Sequence, residues 1–285
     1  MASKIVLGLY TGNVSNSAAI PNAIQLCEEL TKADRWGGWA WSQSSRIDSN
    51  RNYIIHDFLH KSTAEFLFII DDDMTHPADM PIQLAARDKP MIGGLYFRRS
   101  DSGNHVPVAY KYDGEMEENR RGHGHGTNSA FRPVTEEVKD FLVKQRAPLV
   151  DGSALIRGTS ATDYLPEEAC VIPIDATGFG CILLRRDALE AMGEPYLMDE
   201  VGLNGDLVFY RNAMWKGIPL YLDMSTIAGH YQTTPLSIRS FCDFTWKREY
   251  DKELITQGKY TPPAPREAEV RPITRLELHD VNGSP

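Results

Sequence analysis

The chain has 285 residues, of which 42% are hydrophobic and 24% are charged, as in ordinary globular proteins. This length suffices for one large α/β domain, or for a domain with a small appendage. The net charge of -9 gives no general attraction to nucleic acid or to an anionic membrane surface. The four cysteines lie far apart without a CxxC pair, which argues against a zinc knuckle and against a dense disulfide framework.

The amino terminus and the apolar runs bear on where the protein resides. The first ten residues, MASKIVLGLY, resemble a strand and lack the long apolar segment and small-residue cleavage site of a secretory signal. No run approaches the roughly 18 apolar residues of a membrane span. We therefore expect a cytoplasmic protein without a membrane span.

Apolar runs of strand length alternate with helical patterns through the first hundred residues. This alternation favours βαβ units and a mainly parallel central sheet flanked by helices. The predicted strands are Lys4–Tyr10, Trp36–Trp41, Phe66–Ile70 and Met91–Tyr96. The first predicted helix begins near Ala18 and has one apolar face of Ile20, Ile24, Cys27 and Leu30. The second is capped by Asp48 or Ser49, and the third begins around Ala78. The uninterrupted run Phe66–Ile70 is expected to be a central strand covered on both faces.

The alternation of strand and helix patterns stops in the middle of the chain. Residues Arg98 to Pro133 are polar and rich in Gly, His and Arg, which predicts a mobile loop. Regular structure is predicted to return as helices at Val134–Gln145, from Asp187 and at Asp206–Lys216, and as strands at Cys170–Asp175, Cys181–Leu184 and Pro219–Asp223. A further helix is expected after His230, followed by an extended tail.

Three consecutive carboxylates, Asp71, Asp72 and Asp73, directly follow the predicted central strand. Such charges repel one another, and a divalent cation is the most economical way to hold them together. Asp71 and Asp73 would project to the same side of an extended segment, because side chains alternate along it. Open α/β sheets also bind ligands at the carboxyl ends of their strands. We therefore favour a metal site over a solvated turn that caps the next helix.

Four segments, in order along the chain, resemble GT-A glycosyltransferases, especially small bacterial and phage-type members with family 2-like motifs. They are FLFIIDDDM with KPMIGGLYFRR, Asp175–Arg186, Asp206–Tyr210 with Gly217–Asp223, and Gly229–His230. The resemblance covers roughly residues 1 to 232 and implies a GT-A, Rossmann-like domain. Its implied parts are a nucleotide-sugar-binding half (1–97), the loop (98–133) and an acceptor and metal half (134–232). Residues 233–285 would then form a C-terminal helix and an extended tail.

The activity that this resemblance implies is transfer of a sugar from a nucleoside diphosphate sugar, with uridine or guanosine as the nucleoside, to an acceptor hydroxyl. Asp73 is implied as the principal ligand of Mn²⁺ or Mg²⁺, with His230 and Asp71 as further ligands. The residues implied to contact the nucleotide are Thr11, Gly12, Asn13, Arg51, Asp71 and Asp72. For His230 the alternative is a hydrogen-bonded core histidine, and for Arg51 it is a surface salt bridge.

Asp206 is the residue implied for acceptor activation, as a general base or as an orienting carboxylate, and helix capping is its competing role. Many relatives carry Glu before this Asp, whereas this chain has Gly205, a departure that favours retention over inversion. Two other classes stay open, namely a metal-dependent nucleotidyltransferase or phosphoesterase and a non-catalytic sugar-nucleotide-binding module. The sequence does not identify the acceptor, which could be a glycan, a protein, a small molecule or modified nucleic acid, or the oligomeric state.

Other polar and aromatic residues have two interpretations each. Arg98 and Arg99 follow a predicted strand and could face phosphates or form a solvated rim. His123 and His125 lie in the glycine-rich stretch without partnered ligands, so we interpret them as loop residues. The tryptophans at 36, 39 and 41 could stack on a sugar or a base, although aromatic residues in strands are more often core residues.

Overall fold

The computed structural model describes residues 2–11, 19–43, 47–98, 106–114, 130–149, 167–194, 196–197 and 205–230. All of them belong to one structural unit, Met1–Phe244. The predicted C-terminal helix and tail lie outside the described residues.

A seven-stranded sheet forms the centre of the protein. Its strands are β1 (Ile5–Thr11), β2 (Trp36–Gln43), β3 (Phe66–Asp71), β5 (Met91–Leu95), β8 (Val171–Ile174), β10 (Cys181–Arg185) and β11 (Leu220–Ile227). They are ordered β2-β1-β3-β10-β5-β11-β8. β10 runs opposite to both of its neighbours, and β8 runs opposite to β11. The other five strands share one direction, so the predicted α/β fold with a largely parallel, Rossmann-like sheet is confirmed, with two antiparallel strands added.

Helices flank the sheet. They are α1 (Ala19–Lys32), α2 (Ile47–Lys61), α3 (Met80–Ala86), α4 (Thr135–Leu149), α5 (Glu167–Cys170), α6 (Arg186–Met192) and α7 (Gly205–Trp215). One face of the sheet packs with α1 and α3 into a continuous apolar core that includes Leu7, Leu26, Phe68 and Leu84. The opposite face meets α2, where a side chain placed at Gly8 would collide with Ile54. Covering both faces explains why β3 is apolar throughout its buried length.

The strands and most helices follow the predicted positions, but the apolar face assigned to the first helix was wrong. Ile20 and Ile24 are more than half exposed, whereas Ala23, Leu26 and Leu30 are buried. The expected face mixed residues from two sides of the helix. The predicted cap of the second helix was also wrong, because Asp48 and Ser49 lie inside α2.

The polar stretch 98–133, predicted as one mobile loop, contains regular structure in its described parts. Strands β6 (Ala109–Tyr112) and β7 (Phe131–Pro133) pair with each other, and β6 also pairs with β9 (Ala176–Thr177). Buried Ala109 and Phe131 stabilise this small sheet. The prediction failed because these strands are short and the residues around them are strongly polar; positions 99–105 and 115–129 lie outside the described residues.

None of the described helices is long and apolar enough to cross a membrane.

Candidate functional site

The acidic cluster lies at the carboxyl end of the central strand. Asp71 is the last residue of β3 and pairs with Tyr10 of β1, one residue before Thr11. Asp72 and Asp73 form the turn that leads from β3 into the two-residue strand β4 (Met74–Thr75). The side chains of Asp71 and Asp73 are 21% and 24% exposed, so solvent or a ligand can reach both. The described structure therefore places the three carboxylates at the edge of the sheet where α/β proteins bind ligands.

His230 reaches this edge through a second, very short ladder. Strand β12 (Gly229–His230) runs antiparallel to β4, with His230 opposite Met74. The register brings His230 Nε2 to 3.3 Å from Asp73 Oδ2, although the two residues are 157 positions apart in sequence. The other ring nitrogen, Nδ1, lies 3.0 Å from the backbone oxygen of Phe97.

The hydrogen bonding of His230 bears on whether the pair can hold a metal. The Phe97 oxygen can only accept, so Nδ1 must carry a proton and donate. In the neutral ring Nε2 then has a lone pair, which faces an Asp73 oxygen that also only accepts. Two such atoms are stable side by side when a proton or a cation lies between them. Two ligands at about 2.1 Å from one ion and at right angles lie about 3 Å apart, so the 3.3 Å spacing fits a shared cation such as Mn²⁺ or Mg²⁺.

A buried arginine links two of the carboxylates of the site. Arg51, in the first turns of α2, donates from Nη1 to Asp206 and from Nη2 to both oxygens of Asp71, at 3.1 and 3.2 Å. Its side chain is only 6% exposed, and its guanidinium carbon lies 4.8 Å above the centre of the Phe179 ring. No described residue forms a hydrogen bond with the buried Arg51 Nε. Arg51 therefore connects the amino-terminal acidic cluster to Asp206, which the sequence placed on the acceptor side.

The electrostatics of this pair are set by burial and by mutual attraction. Burial raises the pKa of Asp206, while Arg51 and the backbone of Phe179 lower it and Asp71 raises it; the net pKa is above its ordinary value. For Arg51, burial lowers the pKa, but Asp71 and Asp206 more than offset this, so the guanidinium stays charged. A carboxylate bonded to a permanently charged arginine is held in position, which suits an orienting group.

The segment Ala176–Cys181 packs tightly beneath the carboxylates. A side chain at Gly180 would come within 3.5 Å of Asp71 Oδ2, so glycine leaves this oxygen accessible. A side chain at Gly178 would collide with the hydroxyl of buried Tyr96. Burial raises the pKa of Tyr96, and the nearby charges of Asp71 and Asp206 raise it further. This hydroxyl is therefore a neutral group beside the acidic edge.

One buried polar residue beside the site, His76, was not indicated by any pattern in the sequence. Its Nε2 lies 2.8 Å from the backbone oxygen of Gly180, and its Nδ1 lies 3.1 Å from Oδ1 of Asn22. Asn22 also accepts from the His76 backbone N–H and donates to its carbonyl. Burial lowers the pKa of His76 to about 4, although the bond to Gly180 raises it. His76 thus fixes α1 and the Gly180 turn to the segment after Asp73.

The predicted residues fall into three groups. Asp71, Asp73, Arg51, Asp206 and His230 come together at one edge of the sheet, with Asp72 beside them. Thr11 ends β1 at the same edge. Gly12, Asn13, Arg99, His123 and His125 lie outside the described residues.

Other residues singled out in the sequence lie in various environments. Arg98 is exposed. Asp175 accepts a hydrogen bond from the backbone N–H of Tyr112 at 2.9 Å, which joins it to the small sheet. The tryptophans at 39 and 41 are 45% and 56% exposed on the edge strand β2, so neither is a core residue.

Comparison with known proteins does not assign this chain to a family. No family model matches it, and no curated protein matches it. Among solved structures, A197 from STIV aligns with a TM-score of 0.46 and 13% sequence identity, over 80% of this chain and 86% of that chain. At this similarity the alignment assigns neither a family nor an activity.

Proposed function

We propose that the protein is a metal-dependent glycosyltransferase of the GT-A type, which moves a sugar from a nucleoside diphosphate sugar to an acceptor hydroxyl. The observation that carries this proposal is the pairing of Asp73 with His230 at the carboxyl end of β3. A carboxylate and an imidazole lie side by side, next to two further carboxylates, and both side chains are partly exposed. This donor set suits Mn²⁺ or Mg²⁺ together with the oxygens of a diphosphate.

The ends of neighbouring strands would give the donor its orientation. Thr11 ends β1 beside the acidic edge, and Tyr10 pairs directly with Asp71. A nucleotide bound across β1 and β3 would therefore run from the β1 end toward Asp73. Asp71 would contact the ribose or the diphosphate, because its side chain is 21% exposed while Arg51 holds it in place.

Arg51 and Asp206 would then position the reacting centre. Arg51 is largely buried and bonded to two carboxylates, so it acts on the donor through Asp71 and on the acceptor side through Asp206. Asp206 holds the acceptor or the departing sugar by its position, because its bond to Arg51 keeps the carboxylate in place. This role agrees with the absence of the preceding Glu at Gly205.

The reaction breaks the bond between the sugar's anomeric carbon and the diphosphate oxygen, and it forms a bond from that carbon to the acceptor oxygen. The diphosphate departs with the bonding electrons, and one of its oxygens takes up the proton that the acceptor hydroxyl loses. A bound divalent cation supplies positive charge to this leaving group. Asp73 and His230 would hold this cation, and Arg51 offsets the negative charges of Asp71 and Asp206, to which it is bonded.

A thermal-shift screen tests the proposal. The full chain is heated with uridine and guanosine diphosphates and their sugars, with and without Mn²⁺. We expect one nucleotide to raise the melting temperature only with the metal, because ligands that bind the folded state stabilise it. Asp73→Ala and His230→Ala should abolish this rise. The matched control is Asp34→Asn, which removes an exposed carboxylate at the opposite end of the sheet, where positive φ also suits asparagine.

Turnover distinguishes the competing function classes. Release of a nucleoside diphosphate in the presence of an acceptor supports glycosyl transfer, whereas release of pyrophosphate or inorganic phosphate indicates a nucleotidyltransferase or a phosphoesterase. Tight donor binding without turnover on any acceptor would indicate a binding module. An equal response of both site variants and the wild type would refute the site itself.

A further inference from the structure

A second group of metal-ligating side chains lies on the surface of α2, apart from the acidic edge. His56 and His60 are one helical turn apart, and their ring centroids are 4.3 Å apart. Glu194, which follows α6, places its Oε1 3.9 Å from His60 Nε2. One nitrogen of each ring and one carboxylate oxygen all lie within 4.8 Å of one another. We infer that His56, His60 and Glu194 form a transition-metal site, with Zn²⁺ as the ion that it binds best.

The chemistry of the three side chains favours zinc. Two imidazoles and one carboxylate are the protein ligands of a three-ligand zinc site that keeps a fourth position for water. Histidines at positions i and i+4 of a helix present their nitrogens on the same side. Two ligands about 2.1 Å from a tetrahedral zinc lie about 3.4 Å apart. Small rotations of these exposed side chains close the remaining gap, since all three are at least half exposed.

The backbone that carries Glu194 is fixed against α2 at its carboxyl-terminal end. Arg186, the first residue of α6, donates to the backbone oxygens of Phe58, Leu59 and Ser62. Phe58 and Leu59 belong to the last turn of α2, whose carbonyls have no helical partners, and Ser62 directly follows the helix. Gly193 then ends α6 with φ +70, a conformation that glycine adopts readily, and directs the chain to Glu194.

A second contact fixes the chain on the other side of Glu194. The side chain of Asn52 donates to the backbone oxygen of Leu197 at 2.8 Å and accepts from its N–H at 2.9 Å. Asn52, His56 and His60 follow one another at four-residue intervals, so they share one face of α2. Leu197 is therefore fixed to this face, and Glu194 is held near the two histidines before any ion binds. Such preorganisation reduces the entropy lost on binding.

The neighbouring charges are compatible with a cation. Asp57 Oδ1 lies 3.8 Å from His56 Nδ1 and 2.9 Å from Lys61 Nζ. A carboxylate beside a ligating histidine orients the ring and increases its basicity. A bound ion would connect α2 to the segment after α6. It would thereby stabilise the helix that carries Arg51, without using any residue of the acidic edge.

Calorimetric titration of the full chain with Zn²⁺ tests the inference. The variants are His56→Gln with His60→Gln, Glu194→Gln, and, as a matched control, Asp73→Asn with His230→Gln. The double histidine variant should bind one zinc ion fewer than the wild type. Glu194→Gln should lower the affinity for that ion about tenfold or more. The control should keep the ion, because its changes lie at the other centre.

The same variants give a readout that does not depend on enzyme activity. Zinc should raise the melting temperature of the control, but not of a variant that combines the control's changes with His56→Gln and His60→Gln. The X-ray absorption spectrum of the control should show two imidazole ligands. The inference is overturned if the double histidine variant keeps the wild-type zinc stoichiometry, or if the control loses the ion.

Discussion

The buried His76 gives a prediction whose size can be worked out from the structure. Burial lowers the pKa of His76 to about 4 in the folded protein, whereas an unfolded chain has an ordinary histidine pKa of about 6.5. The unfolded chain therefore takes up a proton at a higher pH than the folded one. The stability that the neutral ring contributes is present above pH 6.5 and is lost as the pH falls toward 4.

The magnitude follows from the two pKa values. At pH 7.5 the ring is neutral in both states, and the loss is close to zero. At pH 5 the unfolded ring is almost fully charged and the folded ring almost fully neutral, which lowers the free energy of unfolding by about 2 kcal/mol. Below pH 4 the loss reaches its limit of about 3 kcal/mol, which is the full difference of the pKa values at 1.36 kcal/mol per unit.

Urea denaturation at pH 7.5 and pH 5 measures this effect, with His76→Gln as the comparison. Glutamine retains a donor within reach of the Gly180 oxygen but does not titrate. Between the two pH values, the wild type should lose about 2 kcal/mol more stability than the variant. An NMR titration of the His76 ring gives the folded pKa directly. A value at or above 6.5 would refute the reasoning, because it would mean that the acceptors Asn22 and Gly180 outweigh burial.

Two further substitutions test the packing of the site. Arg51→Met leaves buried carboxylates without their cation, so we expect urea denaturation to show a loss of about 3–5 kcal/mol in the free energy of unfolding. Adding Asp206→Asn should recover part of this loss. A cost of Arg51→Met below about 1 kcal/mol would contradict the ion pair. Gly178→Ala forces a methyl group against the buried Tyr96 hydroxyl and should cost about 1–3 kcal/mol. The control is Gly114→Ala, whose added methyl group would lie 3.6 Å from its nearest atom and should leave the stability nearly unchanged. Equal melting temperatures of the two alanine variants would exclude the collision at Gly178.

The sequence was most informative where one segment determines its own structure. Phe66–Ile70 is apolar at every position because helices cover both faces of β3, so the pattern predicted a central strand and the acidic edge that follows it. Gly217, at φ +71, ends the helix that carries Asp206, as its residue type predicted. These features depend on local propensity and on burial, which a sequence pattern records directly.

The contacts between distant segments were not visible in the patterns. The ladder that joins His230 to the residue after Asp73 is only two residues long on each side, so it has no periodicity to detect. The pair was expected only from the resemblance to glycosyltransferases. The ion pair of Arg51 with Asp206 spans 155 positions. The resemblance to glycosyltransferases named Arg51 as a nucleotide contact, but nothing in the sequence of α2 indicated its bond to Asp206. His76 is a single polar residue whose role depends entirely on what surrounds it.

The functional residues therefore differ in how they could be found. Asp71, Asp72 and Asp73 are indicated by their own position at the end of a buried strand. Asp206 and His230 required a family pattern. The shared contacts of Arg51 required the fold, because an arginine in the first turns of a helix is usually solvated.

The central claim is that Asp73 and His230 hold one divalent cation at the carboxyl end of β3. Electron paramagnetic resonance of Mn²⁺ with the full chain and a nucleoside diphosphate measures this binding directly, with Asp34→Asn as the control. We predict that Asp73→Asn and His230→Gln each weaken Mn²⁺ binding at least tenfold while the control matches the wild type. Unchanged Mn²⁺ affinity in both site variants would contradict the account.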